Sequence, residues 1–374
     1  MKVSPRLFKS SQLDALCWFK IKYNTSFNVK ILLERFNMKS WGFKKGLYDL
    51  GADCYAWIQP DGTWGFSNSG LITDSNESLL VDTLYDLPKT QEMLDGYRKV
   101  IPSANNIGTL VNTHSNGDHY FGNQLVHAPR IISSRTCAEE MAKRPPSNRA
   151  KQLRDWRELG DAGVFINENL SGKFDLENID LVLPNEVFEK MLTIHVGRKT
   201  VELHNVGPAH TGGDTLAWLP KEKVVYTGDI IFSNAHPIVW DGPVSNWIKA
   251  CDQMISWGAE IVVPGHGPIC DLDAVRATKH YLEYLTLNTR KRFDAQMTED
   301  EAVSDMCFDE YRHWLDPERV VVNVHCLYRE FKGIKGAPDS LEMSAKMLHY
   351  RNKLKSANLY PISSCGHENC NGQH

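Results

Sequence analysis

The chain has no long apolar run. Its longest stretches fall far short of the ~18 residues that cross a bilayer, so no membrane span is expected. It also lacks a block of one-signed charge: 42 Lys and Arg stand against 46 Asp and Glu, for a net charge of -4. No Lys/Arg cluster marks a nucleic-acid surface or a phosphate or glutathione site, so the expected partner is a small-molecule substrate, with neither nucleic acid nor membrane. Paired cysteine spacing is missing too. Nine cysteines, an odd number, are scattered along the chain, which suits a reducing cytoplasmic setting better than a disulfide framework. Leu13 to Ile21, broken by Asp14 and Lys20, is not followed by a small-residue cleavage site, so no signal peptide is expected. At 374 residues, 42% hydrophobic and 24% charged, the composition is that of a soluble globular protein with a large core.

What is present concentrates at strand ends. Ile107 to Val111 reads as a buried strand, and Thr113-His114-Ser115-Asn116-Gly117-Asp118-His119 follows it with two histidines, an aspartate and an amide. His210 lies in Pro208-Ala209-His210-Thr211-Gly212-Gly213-Asp214. Asp229 follows Val224-Val225-Tyr226, and His266 follows Ile261-Val262-Val263 within Gly265-His266-Gly267. Each is wrapped in glycine, which lets the backbone take φ > 0 and approach an ion closely. Neutral imidazoles and carboxylates so placed form a site for Zn²⁺ or Fe²⁺. A lone histidine beside a strand is usually a hydrogen-bonded structural residue, but four such places in order read as a metal site. His195 and His204 lie inside strands and read as structural.

These residues resemble the motifs of the metallo-β-lactamase superfamily over roughly residues 45 to 270. Asp82, closing Leu79-Leu80-Val81-Asp82-Thr83, matches that family's first motif, which braces the site. The resemblance implies an α/β fold, a four-layer αββα sandwich. It implies that His114 and His210 hold a first metal, that Asp118, His119 and His266 hold a second, and that Asp229 bridges them. Asn116 stands where most members carry the middle histidine. A neutral amide oxygen is a poorer zinc ligand than imidazole, so the first site is expected to be the weaker one. Two zinc ions are favoured, with Fe or Mn as the other candidate metals.

The implied activity is that of a metal-dependent hydrolase. A metal-activated hydroxide would attack an ester, lactone, thioester or related bond of a small molecule, and Asp118 would pass a proton to the leaving group. Two alternatives use the same fold: a mononuclear-iron oxygenase acting on a sulfur compound, and a metal-poor, non-catalytic binding protein. In the loop after Asp229, His236, Trp240 and Trp247 are candidate substrate contacts.

The expected organisation is an N-terminal extension over residues 1–37, a metallo-β-lactamase-like domain over 38–275, a helical C-terminal extension over 276–350 and a polar tail over 351–374. Tyr55 to Ile58 and Leu71 to Thr83 read as short strands joined by tight turns, and Pro88 to Val100 as a helix. Residues 137 to 160 carry helix formers interrupted by Pro145-Pro146, an insert suited to an active-site wall. Thr193 to Val206 reads as two strands around Gly197-Arg198-Lys199. Ala274 to Phe293 is a helical pattern, Thr298-Glu299-Asp300-Glu301 is a capping box, and Asp339 caps a further helix. The resemblance implies that this helical ending covers the cleft or builds a homodimer contact. The tail Cys365 to His374 contains metal-ligand residue types but reads as a polar tail, because its spacing departs from zinc modules.

Overall fold

A computed structural model describes residues 41–361. The expected N-terminal extension over residues 1–37 and the Cys365–Cys370 motif lie outside the described residues. Strands β1 (Gly46–Gly51), β2 (Cys54–Ile58), β3 (Ser69–Asp74) and β4 (Glu77–Val81) form an antiparallel meander. Every residue of β3 is buried. Gly70 is glycine because a Cβ there would lie 2.2 Å from the ring of Tyr226, which comes from the facing sheet.

The chain then passes through helix α1 (Leu87–Val100) to β5 (Thr109–Val111), which pairs in parallel with β4. Asp86 caps α1 by accepting from Lys89 N, Pro88 sits in its first turn, and Arg98 and Lys99 complement its C-terminal end. Its apolar side, Met93, Leu94 and Tyr97, packs on Leu71, Leu80 and Leu110 of the sheet. Strands β6 (Arg130–Ser134) and β7 (Glu186–Phe188) complete a seven-stranded sheet in the order β1-β2-β3-β4-β5-β6-β7. Helices α2 (Arg135–Ala142), α3 (Pro146–Arg154) and α4 (Gly160–Leu170) fill the crossover between β6 and β7, with the Pro145-Pro146 break between the first two.

The second sheet has five strands in the order β12-β11-β10-β9-β8. β8 (Met191–Val196) and β9 (Lys199–Asn205) are a hairpin turning at Gly197 and Arg198, as the alternation of Val201 and Leu203 with polar residues predicts. β10 (Thr215–Leu219) and β11 (Val224–Tyr226) continue antiparallel. α5 (Val244–Trp257) supplies the crossover that the parallel partner β12 (Ile261–Val263) requires. Both sheets are therefore mixed, and the α/β sandwich is the expected one. Tyr226 OH donates to Tyr55 O across the sheet interface at 3.0 Å.

The C-terminal region is helical: α6 (Leu272–Asp294), α7 (Glu299–Asp305), α8 (Arg319–Phe331) and α9 (Ser340–Ser356). The Thr298/Glu301 capping box is present at α7, and Asp339 caps α9. α9 runs to Ser356, past the boundary at 350/351 where the polar tail was expected to begin. These helices share one core with the second sheet, in which Tyr281, Leu285, Val324 and Leu327 pack with Val239, Trp247 and Val262. α9 lies along α4, joined by His349–Asp161 at 2.8 Å and by Arg351 donating to Asn169 Oδ1 at 3.1 Å. No described helix is long and apolar enough to cross a membrane.

Candidate metal centre

Four loops at strand C-terminal ends meet at one edge of the sandwich. His114, Asn116, Asp118 and His119 follow β5, His210 lies between β9 and β10, Asp229 follows β11, and His266 follows β12. Their side chains form two trios, His114/His210/Asp229 and Asp118/His119/His266, each with candidate ligand atoms within 4.8 Å of one another. Asp229 links the trios. Its Oδ2 lies 3.6 Å from His114 Nε2, 3.3 Å from His210 Nε2 and 3.5 Å from His266 Nε2, while its Oδ1 lies 3.1 Å from His119 Nε2. Asp118 Oδ2 lies 3.3 Å from His266 Nε2.

The histidine tautomers follow from what the other ring nitrogen touches. His210 Nδ1–H donates to Ile238 O at 2.7 Å, and His119 Nδ1–H donates to Asp82 Oδ2 at 2.9 Å. Thr113 Oγ1 donates its one proton to Asp82 Oδ2 at 2.7 Å, so it accepts from His114 Nδ1–H at 3.0 Å. In the neutral form that ligates a metal, all three rings thus turn a bare Nε2 toward Asp229. His114 Nε2, His119 Nε2 and Asp229 Oδ1 are buried and form no hydrogen bond, close as the last two are. Buried polar atoms are rarely left so. Bare imidazole nitrogens and a carboxylate converging at this range are the donor set that a divalent metal satisfies, and the fit is good.

Glycine makes the convergence possible. A Cβ at Gly265 would lie 2.0 Å from Asp229 Oδ1 and 2.6 Å from the backbone of Gly228. Asp82 braces the floor by accepting from Thr113 N at 2.7 Å as well as from Thr113 Oγ1 and His119. Asn68 holds the last loop, donating to Pro264 O and Gly267 O at 2.9 Å each. The ring of Phe232 stacks on His266 at 5.3 Å.

Electrostatics split the histidines. Burial, joined by the charge of His119, pushes His114 down from the usual imidazole range. Burial also opposes charge on His119 and His266, but the carboxylates of Asp229 and Asp118 outweigh it and raise both, His266 to about 9. Burial would raise Asp118, but the His119 and His266 charges bring it down to about 2.

Asn116 projects its amide into the first trio, with Nδ2 at 3.0 Å from His210 Nε2. A cavity of about 350 Å³ opens beside the cluster and reaches Asp118, His210, Asp229 and His266. Of the three residues expected to contact substrate, Trp240 lines this cavity, whereas His236 and Trp247 do not. Trp247 is fully buried in the core, donating Nε1–H to Ile230 O at 2.8 Å and packing its ring against His210 at 5.8 Å. His236 is buried among Tyr281, Phe308 and Trp314, and burial together with the nearby Arg319 charge pushes it down to about 3. The loop after β11 carries His236 inward and α5 carries Trp247 inward, and α6 and α8 pack over both. Of the histidines read as structural, His195 is exposed on β8 and His204 rests on Trp257 at 4.7 Å.

The insert over residues 137 to 160 does contribute to the cavity wall, and it brings charges that were not expected there. Lys143, Arg144 and Arg149 line one wall, where no Lys/Arg cluster was expected, and Arg319 lies within it. Lys143 and Arg144 sit six and five positions before Arg149, a spacing that becomes a cluster only because the chain turns at Pro145-Pro146. Ala337, Ser340, Ser344 and Met347 show that the C-terminal helices cover part of the cleft.

Comparison with known proteins agrees with this picture. The family model of the metallo-β-lactamase superfamily matches residues 62–266. A 2,4-dinitroanisole O-demethylase subunit alpha from Nocardioides sp. (strain JS1661) is 23% identical over 194 residues, 50% of this chain and 48% of that protein. A beta-lactamase-like protein 2 homolog from Caenorhabditis elegans is 20% identical over 239 residues, 64% of this chain and 68% of that protein. The stereoselective inverting sec-alkylsulfatase Pisa1 from Pseudomonas sp. superposes with a TM-score of 0.60 at 16% identity, over 77% of this chain and 50% of that one, which shows a shared fold. The chain thus spans about half the length of the demethylase subunit and of the alkylsulfatase.

Proposed function

The chain belongs to the metallo-β-lactamase superfamily, and from that premise we propose that it is a metal-dependent hydrolase of a small organic molecule, cleaving an ester, lactone, thioester or related bond. The observation that carries the reading is the pair of trios linked by Asp229, with unbonded Nε2 atoms of buried histidines beside a cavity. His114, His210 and Asp229 would hold one ion, and Asp118, His119 and His266 the other, with zinc the favoured metal. Bound divalent ions supply Lewis acidity and bring the pKa of water from 15.7 toward ~7.

The chain's own residues do the remaining work. Asp82 and the carbonyl of Ile238 hold His119 and His210 in the Nδ1–H tautomer. Asp118 lines the cavity, and its side chain keeps 14% of its surface exposed against 3% for Asp229, so it is the carboxylate placed to carry a proton to a leaving group. Trp240, Phe121 and Phe165 line the cavity and exclude water from an apolar substrate. The names of two relatives support a small organic substrate, since one is a dinitroanisole demethylase subunit and the other a secondary alkylsulfatase.

Metal analysis of protein purified without added metal, followed by chelation and assay on chromogenic esters, lactones, thioesters and a cephalosporin, tests the reading. About two equivalents of zinc, with turnover lost on chelation and restored by zinc, are expected. One equivalent of iron would favour the oxygenase, and protein that binds no metal would favour the binding module.

A further inference from the structure

The hydrolase reading leaves open what the cavity selects, and the answer lies in its wall. Its volume, about 350 Å³, suits a small organic molecule. The acids lining it are Asp118 and Asp229, both in the ligand trios, whereas the bases are Lys143, Arg144, Arg149 and Arg319. With the two carboxylates engaged by metal, the remaining side-chain charge facing the cavity is positive.

Of the three bases at the corner between α2 and α3, Lys143 and Arg149 are unpaired within the protein. Arg144 makes no ion pair, though its charge works against the rise that burial gives the Asp241 carboxyl. Among the described residues, neither Arg149 nor Lys143 has a side-chain hydrogen bond or ion pair, and Arg144 reaches only Ser115 Oγ, at 3.4 Å. Basic residues on the outward side of α3 behave differently: Arg154 pairs with Glu177 at 2.8 Å and Lys151 with Asp155 at 2.5 Å. Arg149 is thus unpaired on a helix whose outward cations are paired. α3 begins at this corner with no side-chain cap and no acidic residue in its first turn, so its positive end adds to the same field.

One fully buried donor and one phenol in the cavity wall lack protein partners. Arg319 is 1% exposed, and its Nε forms no hydrogen bond although its other nitrogens reach Asp316 and His236 O at 2.9 Å. Tyr85 is 7% exposed, and among the described residues no hydrogen bond reaches its hydroxyl. Burial pushes that hydroxyl up to about 12, so it stays a donor. Phe121, Phe165, Trp240 and Met347 supply apolar surface to the same cavity. Buried donors, unpaired cations and apolar rings together are complementary to one kind of ligand.

We propose that the cavity binds an organic anion, its anionic oxygen group held at the corner by Arg149 with Lys143 and Arg144, and its apolar body lying on the aromatic wall toward the trios. The proposal narrows the hydrolase reading to anionic amphiphiles, and it is tested by binding without turnover.

The metal-loaded protein is titrated calorimetrically with 4-phenylbutane-1-sulfonate, a weak metal ligand, and with the neutral methyl sulfone of the same chain. The sulfonate should bind at least tenfold more tightly, the scale of one charge-assisted pair. The double variant Lys143→Gln, Arg149→Gln should abolish the difference and leave the sulfone within twofold. If that variant does not fold, Lys143→Gln alone, on an exposed side chain, should cut the preference at least threefold. Equal affinity in the wild type, including no measurable binding of either probe, overturns the proposal. So does a preference that survives both substitutions but disappears on chelation, since the metal would then hold the anion. A protein that hydrolyses nothing in the panel yet shows the charge-dependent preference would refute the hydrolase reading and leave this one standing.

Discussion

Replacing Asp82 by asparagine isolates the group that orients a ligand from the ligand itself. The backbone is not at issue: Asp82 has φ 59°, in the left-handed region that asparagine tolerates well. The chemistry is. The carboxylate accepts from Thr113 N at 2.7 Å, from Thr113 Oγ1 at 2.7 Å and from His119 Nδ1 at 2.9 Å. An amide has one acceptor oxygen and a donating NH₂. If the oxygen keeps the Thr113 N–H, the NH₂ faces Thr113 Oγ1 and His119 Nδ1. The threonine hydroxyl can rotate and accept. The imidazole can accept only by moving its proton to Nε2, the atom 3.1 Å from Asp229 Oδ1. Its lone pair is then lost to a metal. Removing the group that orients a ligating histidine costs roughly 10–100-fold in affinity, about 1.4–2.7 kcal/mol. Competition titration of zinc against a chromophoric chelator should show this loss for one equivalent in Asp82→Asn, with the other within threefold of wild type. The melting temperature should fall by no more than a cost of ~1–3 kcal/mol implies. Wild-type affinity for both equivalents would refute the claim that Asp82 sets the His119 tautomer.

Asn116→His should tighten the weaker zinc equivalent at least tenfold in the same titration; an unchanged curve would mean the amide already serves as well as imidazole. Asp74, at the end of β3, accepts from Arg198 N at 2.6 Å and from its guanidinium at 3.1 Å, tying the first sheet to the β8–β9 turn of the second. These bonds hold its carboxyl well below the usual 3.8. A depressed carboxylate stabilises the fold above its unfolded pKa and loses that contribution as pH falls toward its folded one. Asp74→Asn should therefore melt lower than wild type at pH 7, with the gap closing below pH 4; a gap undiminished at pH 2.5 would count against the pairing. Trp247→Phe should lower stability by about 1–3 kcal/mol and leave KM alone, while Trp240→Ala should raise KM. Thermal melts and steady-state kinetics on the best panel substrate separate the two, and the opposite pattern would return Trp247 to the substrate wall.

Much of the fold was legible because its cues are local. The Gly197-Arg198 hairpin, the Asp339 cap and the Thr298/Glu301 box depend on residues within a few positions of each other, and each appears where the pattern puts it. The spans of His114, His119, His210, Asp229 and His266 were legible for a related reason. A strand's end is a fixed place, and glycine beside it signals a close backbone approach that the 2.0 Å gap at Gly265 makes concrete. Neither His236 nor Trp247 lines the cavity: Trp247 belongs to the first turn of α5, and His236 to a loop with no periodicity of its own. Whether it faces the cavity or the core is decided by α6 and α8, which come from much later in the chain.

The sequence by itself determined the chemistry available: which donor atoms exist, at which strand ends, and the family fold that carries them. Only the tertiary structure decided how they are grouped. It set the trios around Asp229, turned Lys143, Arg144 and Arg149 into one wall, and drew Arg319 and Met347 from the C-terminal helices to the cavity. The physical reason is range: caps, turns and strand ends are written in neighbours, whereas burial and convergence depend on elements that meet only when apolar faces far apart in the chain leave water together.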